Sequence, residues 1–231
     1  MDHNRINYEF INTQLENMSI DKRLQWIWLN FRRPIMASSF GLSTVALMDI
    51  YYRRLGFRIP VIFLDTLYHF PETIRLVQEM RQKYDLNLRI YRPTGAETRE
   101  TFEAQYGPNL WEQDIERFHE LTKLQQMRRA LQSHDVWITG VRRDQSLIRR
   151  HTKLIHWDEK HGLVKMNPCA DWSLQQVFSY VREHEVPYNR LHDRGYLSIG
   201  DEPLTEPVAD RTNQRAGRWP GFRKTECGLH V

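Results

Sequence analysis

Apolar residues fall along the chain in two alternating patterns. Leu24, Ile27, Trp28 and Phe31 recur at helical spacing and predict an amphipathic helix that ends before Pro34. Ile35-Met36-Ala37 is a short apolar run leading into Ser38-Ser39-Phe40-Gly41. Residues 42–55 read as a helix, with Val45, Leu47, Met48 and Tyr52 available for packing and Gly56 as its stop. Pro60-Val61-Ile62-Phe63-Leu64 is continuously apolar, as expected of a strand buried on both faces. It ends at Asp65-Thr66, and Pro71 suits the first turn of a helix running to about Tyr84. Leu88-Arg89-Ile90-Tyr91 predicts a third strand, residues 110–133 a long helical region, and Val136-Trp137-Ile138-Thr139-Gly140 a fourth strand. After Arg150 the alternation weakens. Ser173 can cap a helix to about Glu183, with Gln176 in the capping-box position, and the last 40 residues, rich in Gly, Pro and Arg, read as a loop or mobile tail.

Buried strands alternating with helices predict an α/β fold: a twisted, mainly parallel sheet with helices on both faces and a mobile C-terminal tail. Residues 1–205 are expected to form the α/β domain and 206–231 an arginine-rich tail. Ligands of such sheets sit outside the carboxyl ends of the strands. Three polar clusters fall at those ends: Ser38-Ser39-Phe40-Gly41, Asp65-Thr66, and the stretch from Gly140 to Gln145.

Composition narrows the classes. Apolar residues make up 40% and charged residues 27% of 231, the balance of a soluble globular protein. No apolar run approaches membrane-spanning length, and Met1-Asp2-His3-Asn4-Arg5 has no apolar core behind it, so a cytoplasmic protein without a secretory signal is expected. The net charge of +4 is too small to demand a nucleic acid partner. Its placement matters more. Basic residues gather as Arg142, Arg143, Arg149, Arg150 and Lys153, and again as Arg211, Arg215, Arg218, Arg223 and Lys224. Solvated loops would explain both stretches. Their coincidence with the strand ends favours a pocket for a small, strongly anionic ligand, because arginine forks bind phosphate and sulfate bidentately.

Candidate chemistry centres on sulfur. The two cysteines, Cys169 and Cys227, exclude a disulfide scaffold, a zinc finger and a four-cysteine cluster held by this chain. Cys169, just before the cap at Ser173, reads as a small buried side chain. Cys227 lies in Lys224-Thr225-Glu226-Cys227-Gly228-Leu229-His230. It reads equally as an incidental thiol on a frayed tail or as a nucleophile whose thiolate Arg223, Lys224 and His230 favour and Glu226 opposes. Ser38, Ser39 and Gly41 supply hydroxyls and backbone N–H groups for an anion cradle at a helix start. His192 follows a helix within reach of a ligand, although packing explains it too. The histidines show no HExxH or HxH spacing, so no metal site is expected.

These residues carry a family resemblance. The terminal block from Lys224 to His230 resembles the KxECGLH tail of the 3′-phosphoadenylyl-sulfate (PAPS) and adenylyl-sulfate (APS) reductases. Ser38-Ser39-Phe40-Gly41, Leu64-Asp65-Thr66 with Phe70-Pro71-Glu72-Thr73, Thr139 to Ser146 and Leu191 to Asp201 resemble further blocks of that family in the same order. The resemblance implies a sheet like that of the adenine-nucleotide alpha-hydrolases and PP-loop ATP pyrophosphatases. Their SGGxDS loop reads Ser-Ser-Phe-Gly-Leu-Ser-Thr here, which suits a sulfate-bearing ligand and argues against ATP cleavage.

The resemblance further implies thiol chemistry, with Cys227 attacking PAPS to give an S-sulfocysteine and adenosine 3′,5′-bisphosphate. Thioredoxin or glutaredoxin then releases sulfite. It nominates Ser38, Ser39, Phe40, Gly41, Asp65, Thr66, Gly140, Arg142, Arg143, Gln145, Arg149, His192, Arg215, Arg218, Arg223 and Lys224 as substrate-binding, and implies a homodimer. Cluster-bearing members carry a Cys-Cys pair and a CxxC. Matching places Phe118 and His119 at the pair and Asp201 and Leu204 at the CxxC, so no iron–sulfur cluster is expected. The loop from Gly200 to Val208 otherwise resembles the cluster type, leaving a cluster-free APS reductase as the alternative. An adenylating PP-loop enzyme and a non-catalytic polyanion-binding module stand further off.

Overall fold

A computed structural model describes residues 6–209 and 213–230; the opening Met1–Arg5 and Arg211 of the second basic stretch lie outside them. The chain begins with α1 (Tyr8–Glu16) and α2 (Ile20–Asn30), the latter capped by Ser19 and closed before Pro34. β1 (Pro34–Ala37) leads into α3 (Leu42–Asp49), which continues as a π-helical turn (Ile50–Arg54). Next come β2 (Val61–Leu64), α4 (Pro71–Tyr84) with its N1 proline, and β3 (Leu88–Tyr91). α5 (Arg99–Tyr106) follows, a helix the apolar spacing does not announce.

The long helical region expected over 110–133 is broken. α6 (Leu110–Gln113) stops at Asp114, which turns out of the helix and caps α7 (Ile115–His119) by accepting from Arg117 N at 2.9 Å. A π-helical turn (Glu120–Leu124) then joins α7 to α8 (Gln125–Leu131) and buries Thr122 and Lys123.

β4 (Val136–Ile138) is followed by two strands that the weakened alternation hides, β5 (Ile155–Asp158) and β6 (Leu163–Met166), and then by α9 (Leu174–Glu183) with the expected Ser173–Gln176 capping box. The sheet order is β3-β2-β1-β4-β6-β5, parallel except for β5, which runs against β6 at the edge.

Side chains alternate across the sheet. Met36, Val61, Phe63, Val136 and Ile138 pack on one face with α2, α3, α4 and α9, while Ile35, Ile62 and Trp137 pack on the other against Met127, Ala130 and Leu131 of α8. Helices therefore cover both faces, as a parallel sheet requires. Chain order runs outward from β1 to β3 and then jumps back to β4 beside β1. The gap between β1 and β4 is the switch point at which loops diverge and ligands enter. Among the described residues no helix is long and apolar enough to cross a membrane.

Candidate active site

A cavity opens over this switch point. Its wall takes in Ser38, Ser39, Gly41, Thr66, Gly140, Arg142, Gln145, Arg149, His192, Arg215, Arg218 and Cys227 from the residues the sequence nominates. The loop after β1 is shaped by Phe40, whose φ of 55° turns the backbone over while its ring packs edge-on against Phe63 at 5.6 Å. Phe40 is thus a core anchor. Ser38 Oγ donates to Thr44 Oγ1 at 2.6 Å, and no side chain caps α3 at Gly41, which leaves first-turn N–H groups for an anion. Gly140 permits the close approach of α3: a Cβ there would lie 2.6 Å from Thr44 Cγ2 and 3.2 Å from Thr44 N.

Four other nominated residues lie off the cavity, each engaged elsewhere or exposed. Asp65 accepts from Arg92 Nε at 2.9 Å and from Leu67 N at 3.1 Å. Arg143 donates to Thr152 O at 2.9 Å and pairs with Glu16. Lys224 pairs with Glu116, and Arg223 points to solvent. Arg142 lines the cavity but is spent on Ser43 Oγ (2.7 Å), Gln214 Oε1 (2.8 Å) and Asp144 Oδ1 (2.9 Å), so it clamps the tail to the sheet.

The described part of the C-terminal segment folds over the cavity. Trp219 is buried, with its backbone N–H donating to Leu204 O at 3.0 Å, and Thr205 pairs with Arg218 in an antiparallel bridge. Glu226 is buried and accepts from Arg149 Nε at 2.8 Å, Arg149 NH2 at 2.7 Å and Arg215 NH2 at 3.2 Å. Cys227, next in sequence, is half-buried beside Trp219 and Phe222 and faces the cavity.

Among the described residues no carboxylate forms an ion pair with Arg218; burial lowers its proton affinity, and the charges of Asp201, Cys227 and Glu226 partly restore it. Burial, with Arg149 nearby, pushes Arg215 down to about 10. Both guanidinium groups stand within electrostatic reach of the Cys227 sulfur. The other thiol differs. Burial pushes Cys169 up to about 12, which makes it an inert core side chain.

Two imidazoles in the wall are neutral. His192 Nδ1 donates to Tyr196 O at 2.6 Å, burial pushes the ring down to about 4, and its Nε2 has no partner among the described residues. His230 stacks on Trp137 at 5.2 Å and is held well below its ordinary value by burial, with Lys165 and Arg149 adding to the effect.

Sequence reasoning did not select Lys123, His69, Trp137 or Trp219, all of which line the cavity. Lys123 sits inside a mixed polar helix with no spacing to mark it. The four positions matched to cluster ligands come together: Phe118, His119, Asp201 and Leu204 are all fully buried, with His119 Nε2 4.0 Å from Asp201 Oδ2. A ring, an imidazole, a carboxylate and an isobutyl group do not fit a four-thiolate cluster. Among the described residues no cluster of three or more His, Cys, Asp or Glu side chains is placed to hold a metal ion.

A parallel sheet with its polar loops at the switch point, and a cationic cavity holding one thiol, define an α/β enzyme for an anionic nucleotide. Residues 33–207 match the family model of the phosphoadenosine phosphosulfate reductase domain. The chain is 39% identical to the phosphoadenosine phosphosulfate reductase of Emericella nidulans, over 96% of this chain and 74% of that one. It is 40% identical to the adenosine 5′-phosphosulfate reductase of Geobacillus kaustophilus, over 90% and 88%. The phosphate complex of the Candida auris phosphoadenylyl-sulfate reductase superposes with a TM-score of 0.80 at 32% identity, covering 87% of this chain and 96% of that one. The chain belongs to the PAPS reductase family and is an oxidoreductase. The FMN adenylyltransferase of Candida glabrata, at TM-score 0.57 and 16% identity over 85% of this chain and 71% of that one, shares the fold alone.

Proposed function

We propose that the chain reduces PAPS to sulfite and adenosine 3′,5′-bisphosphate through Cys227. The observation that carries this reading is that Cys227 opens into the same cavity as the Ser38 loop and the cations Arg149, Arg215 and Arg218. An anionic nucleophile approaching an anionic sulfonate needs neutralisation in place beforehand, and guanidinium groups already lining the cavity supply it.

In the first step the Cys227 thiolate attacks the sulfonyl sulfur. The S–O bond to the phosphate breaks, its electron pair leaves with adenosine 3′,5′-bisphosphate, and Cys227 becomes an S-sulfocysteine. Cys169 is buried apart from the cavity and cannot resolve that intermediate. A thioredoxin or glutaredoxin thiolate therefore attacks the Cys227 sulfur and expels sulfite. The partner's second thiol then breaks the mixed disulfide and returns Cys227 as a thiol. The two electrons come from the external dithiol.

The nominated site residues divide accordingly. Ser38, Ser39 and Gly41 hold the phosphate–sulfate end, Thr66 and Gly140 border the nucleoside, and Arg149, Arg215 and Arg218 neutralise the reacting group. The replaced ligand positions support a cluster-free enzyme. An assimilatory role in cysteine biosynthesis, a cytoplasmic location, a homodimer and an arginine-rich tail over 206–231 that carries the catalytic Cys belong to the same reading. An APS substrate is the second reading, favoured by the Gly200–Val208 loop and by bacterial relatives named for APS at 40% identity. Sulfite release from each nucleotide, with thioredoxin as reductant, decides between them.

A further inference from the structure

Beyond the arginines, one more cation reaches the cavity, and it is built differently. Lys123, in the π-helical turn after α7, lines the wall with its side chain only 10% exposed, and its ammonium pairs with Asp201, whose side chain is wholly buried. The second oxygen of that carboxylate accepts from Thr66 Oγ1 at 2.7 Å. The backbone of Asp201 is pinned as well: it bridges to His69, its carbonyl accepts from Thr205 Oγ1 at 2.8 Å, and Glu202 N donates to Tyr68 O at 2.7 Å. Both the direction and the depth of the carboxylate are fixed by the loop after β2.

We propose that Asp201 is a positioning residue that holds the Lys123 ammonium at the cavity wall, aimed at the sulfonate end of the bound nucleotide. The proposal rests on the substrate reading above and adds a residue to it. Asp201 occupies a position matched to a cluster cysteine, and its neighbours Phe118, His119 and Leu204 occupy the others. The space that four thiolates would need is instead filled by a packed apolar group around one ion pair.

The physical case rests on burial. Taking an ammonium out of water costs several kcal/mol unless an anion pairs with it. The charged and titratable groups facing the pair are His69 from the loop after β2, His119 from α7, and Arg218 and Lys224 from the C-terminal segment. His119 is neutral, pushed down to about 2 by burial and by Lys123, and it accepts from Trp219 Nε1 at 3.4 Å. Burial also pushes His69 down. Burial raises the Asp201 carboxyl, but Lys123 and His69 more than offset that, and it stays ionised. Asp201 is therefore the anion that holds the Lys123 ammonium in place, and its charge also reaches Arg218.

The test compares wild type with Asp201→Asn, Asp201→Glu, Lys123→Met and the double variant Lys123→Met/Asp201→Asn. Sulfite release gives kcat and KM separately, and binding of inorganic sulfate is measured by calorimetry. Asp201→Asn should lower kcat/KM and sulfate affinity about tenfold each, because the ammonium loses the carboxylate that holds it at the wall, with Asp201→Glu recovering most of both losses. In the Lys123→Met background, Asp201→Asn should cost nothing further, since one residue acts through the other. The double variant removes both charges together, so it remains usable if Asp201→Asn folds poorly. An unchanged sulfate affinity in Asp201→Asn, or additive losses in the cycle, would overturn the proposal. Sulfate binding needs no turnover, so an absence of sulfite from wild type would sink the substrate reading while leaving this proposal to stand or fall on its own data.

Discussion

Arg149 grips Glu226 with two parallel hydrogen bonds, Nε to Oε1 at 2.8 Å and NH2 to Oε2 at 2.7 Å, and Glu226 is the residue before Cys227. A loop beside the cavity thus holds the backbone that carries the thiol. Sequence order alone makes Glu226 a charge opposing the thiolate. The structure gives it a second part, since its carboxylate is shared by Arg149 and Arg215 and fastens the C-terminal segment over the site.

Breaking that grip should release the thiol. Both side chains are more than nine-tenths buried, so Glu226→Ala leaves a buried guanidinium without its anion, at a cost of about 3–5 kcal/mol. We expect faster alkylation of Cys227 and a loss of kcat/KM of at least about tenfold. Alkylation followed by mass spectrometry reads the first effect. Unchanged alkylation would show that other contacts hold the segment.

The two thiols should separate cleanly. Cys169, pushed up to about 12 by burial, should resist iodoacetamide at neutral pH in the native state, and Cys169→Ala should keep near wild-type activity. Peptide mapping after brief alkylation tests this, and label on Cys169 before unfolding would contradict it.

Gly200 offers a probe of Arg218 at little cost to the fold. A Cβ at Gly200 would lie 2.0 Å from Arg218 NH2, the far end of a flexible side chain. Gly200→Ala should therefore displace the guanidinium, weaken nucleotide binding about tenfold or more, and leave the melting temperature nearly unchanged. Gly140→Ala differs, because its Cβ would meet Thr44 backbone and side chain, and should cost about 1–3 kcal/mol of stability as well. Calorimetric binding and thermal melts on the two variants distinguish them.

A pH dependence of stability should trace to Asp49. This wholly buried carboxylate accepts from Arg53 Nε at 2.7 Å, Tyr84 OH at 2.9 Å and Tyr180 OH at 2.6 Å, tying α3 to α4 and α9. Burial raises its proton affinity, but the hydrogen bonds from Arg53, Tyr180 and Tyr84 more than offset this, so the folded value lies below the unfolded one. Its stabilisation is present above the unfolded carboxylate range and is lost as pH falls through the folded value. Asp49→Asn should thus lower the melting temperature at neutral pH, with the gap to wild type narrowing in acid. A gap that is constant with pH would refute the assignment.

The parts of the fold legible in the sequence are those in which one local signal dominates. Pro71 and the apolar spacing behind it fix α4, and the run Val61–Leu64 reads as a doubly buried strand because it is one. β5 and β6 escaped because the hairpin carries His156, Asp158 and Lys165 in its strands. Lys165 is buried only by pairing with Asp158 at 3.5 Å and lying over the Trp137 ring, contacts that no local pattern announces.

The site divides in the same way. Ser38, Gly140, Arg149 and Cys227 stand in blocks that resemble a family, and they meet in one cavity. Arg143, Arg223 and Lys224 stand in the same blocks yet lie off the cavity, Arg143 and Lys224 held by Glu16 and Glu116 and Arg223 exposed. Lys123 meets Asp201 across 78 residues of chain, which no local reading could anticipate.

The most direct test of the account is sulfite release with thioredoxin from PAPS and from APS, for wild type and Cys227→Ser. The account predicts sulfite from wild type with PAPS well above APS, and none above background from Cys227→Ser. Equal or greater activity with APS would keep the thiol mechanism and change the substrate. Sulfite production surviving in Cys227→Ser would contradict the central claim.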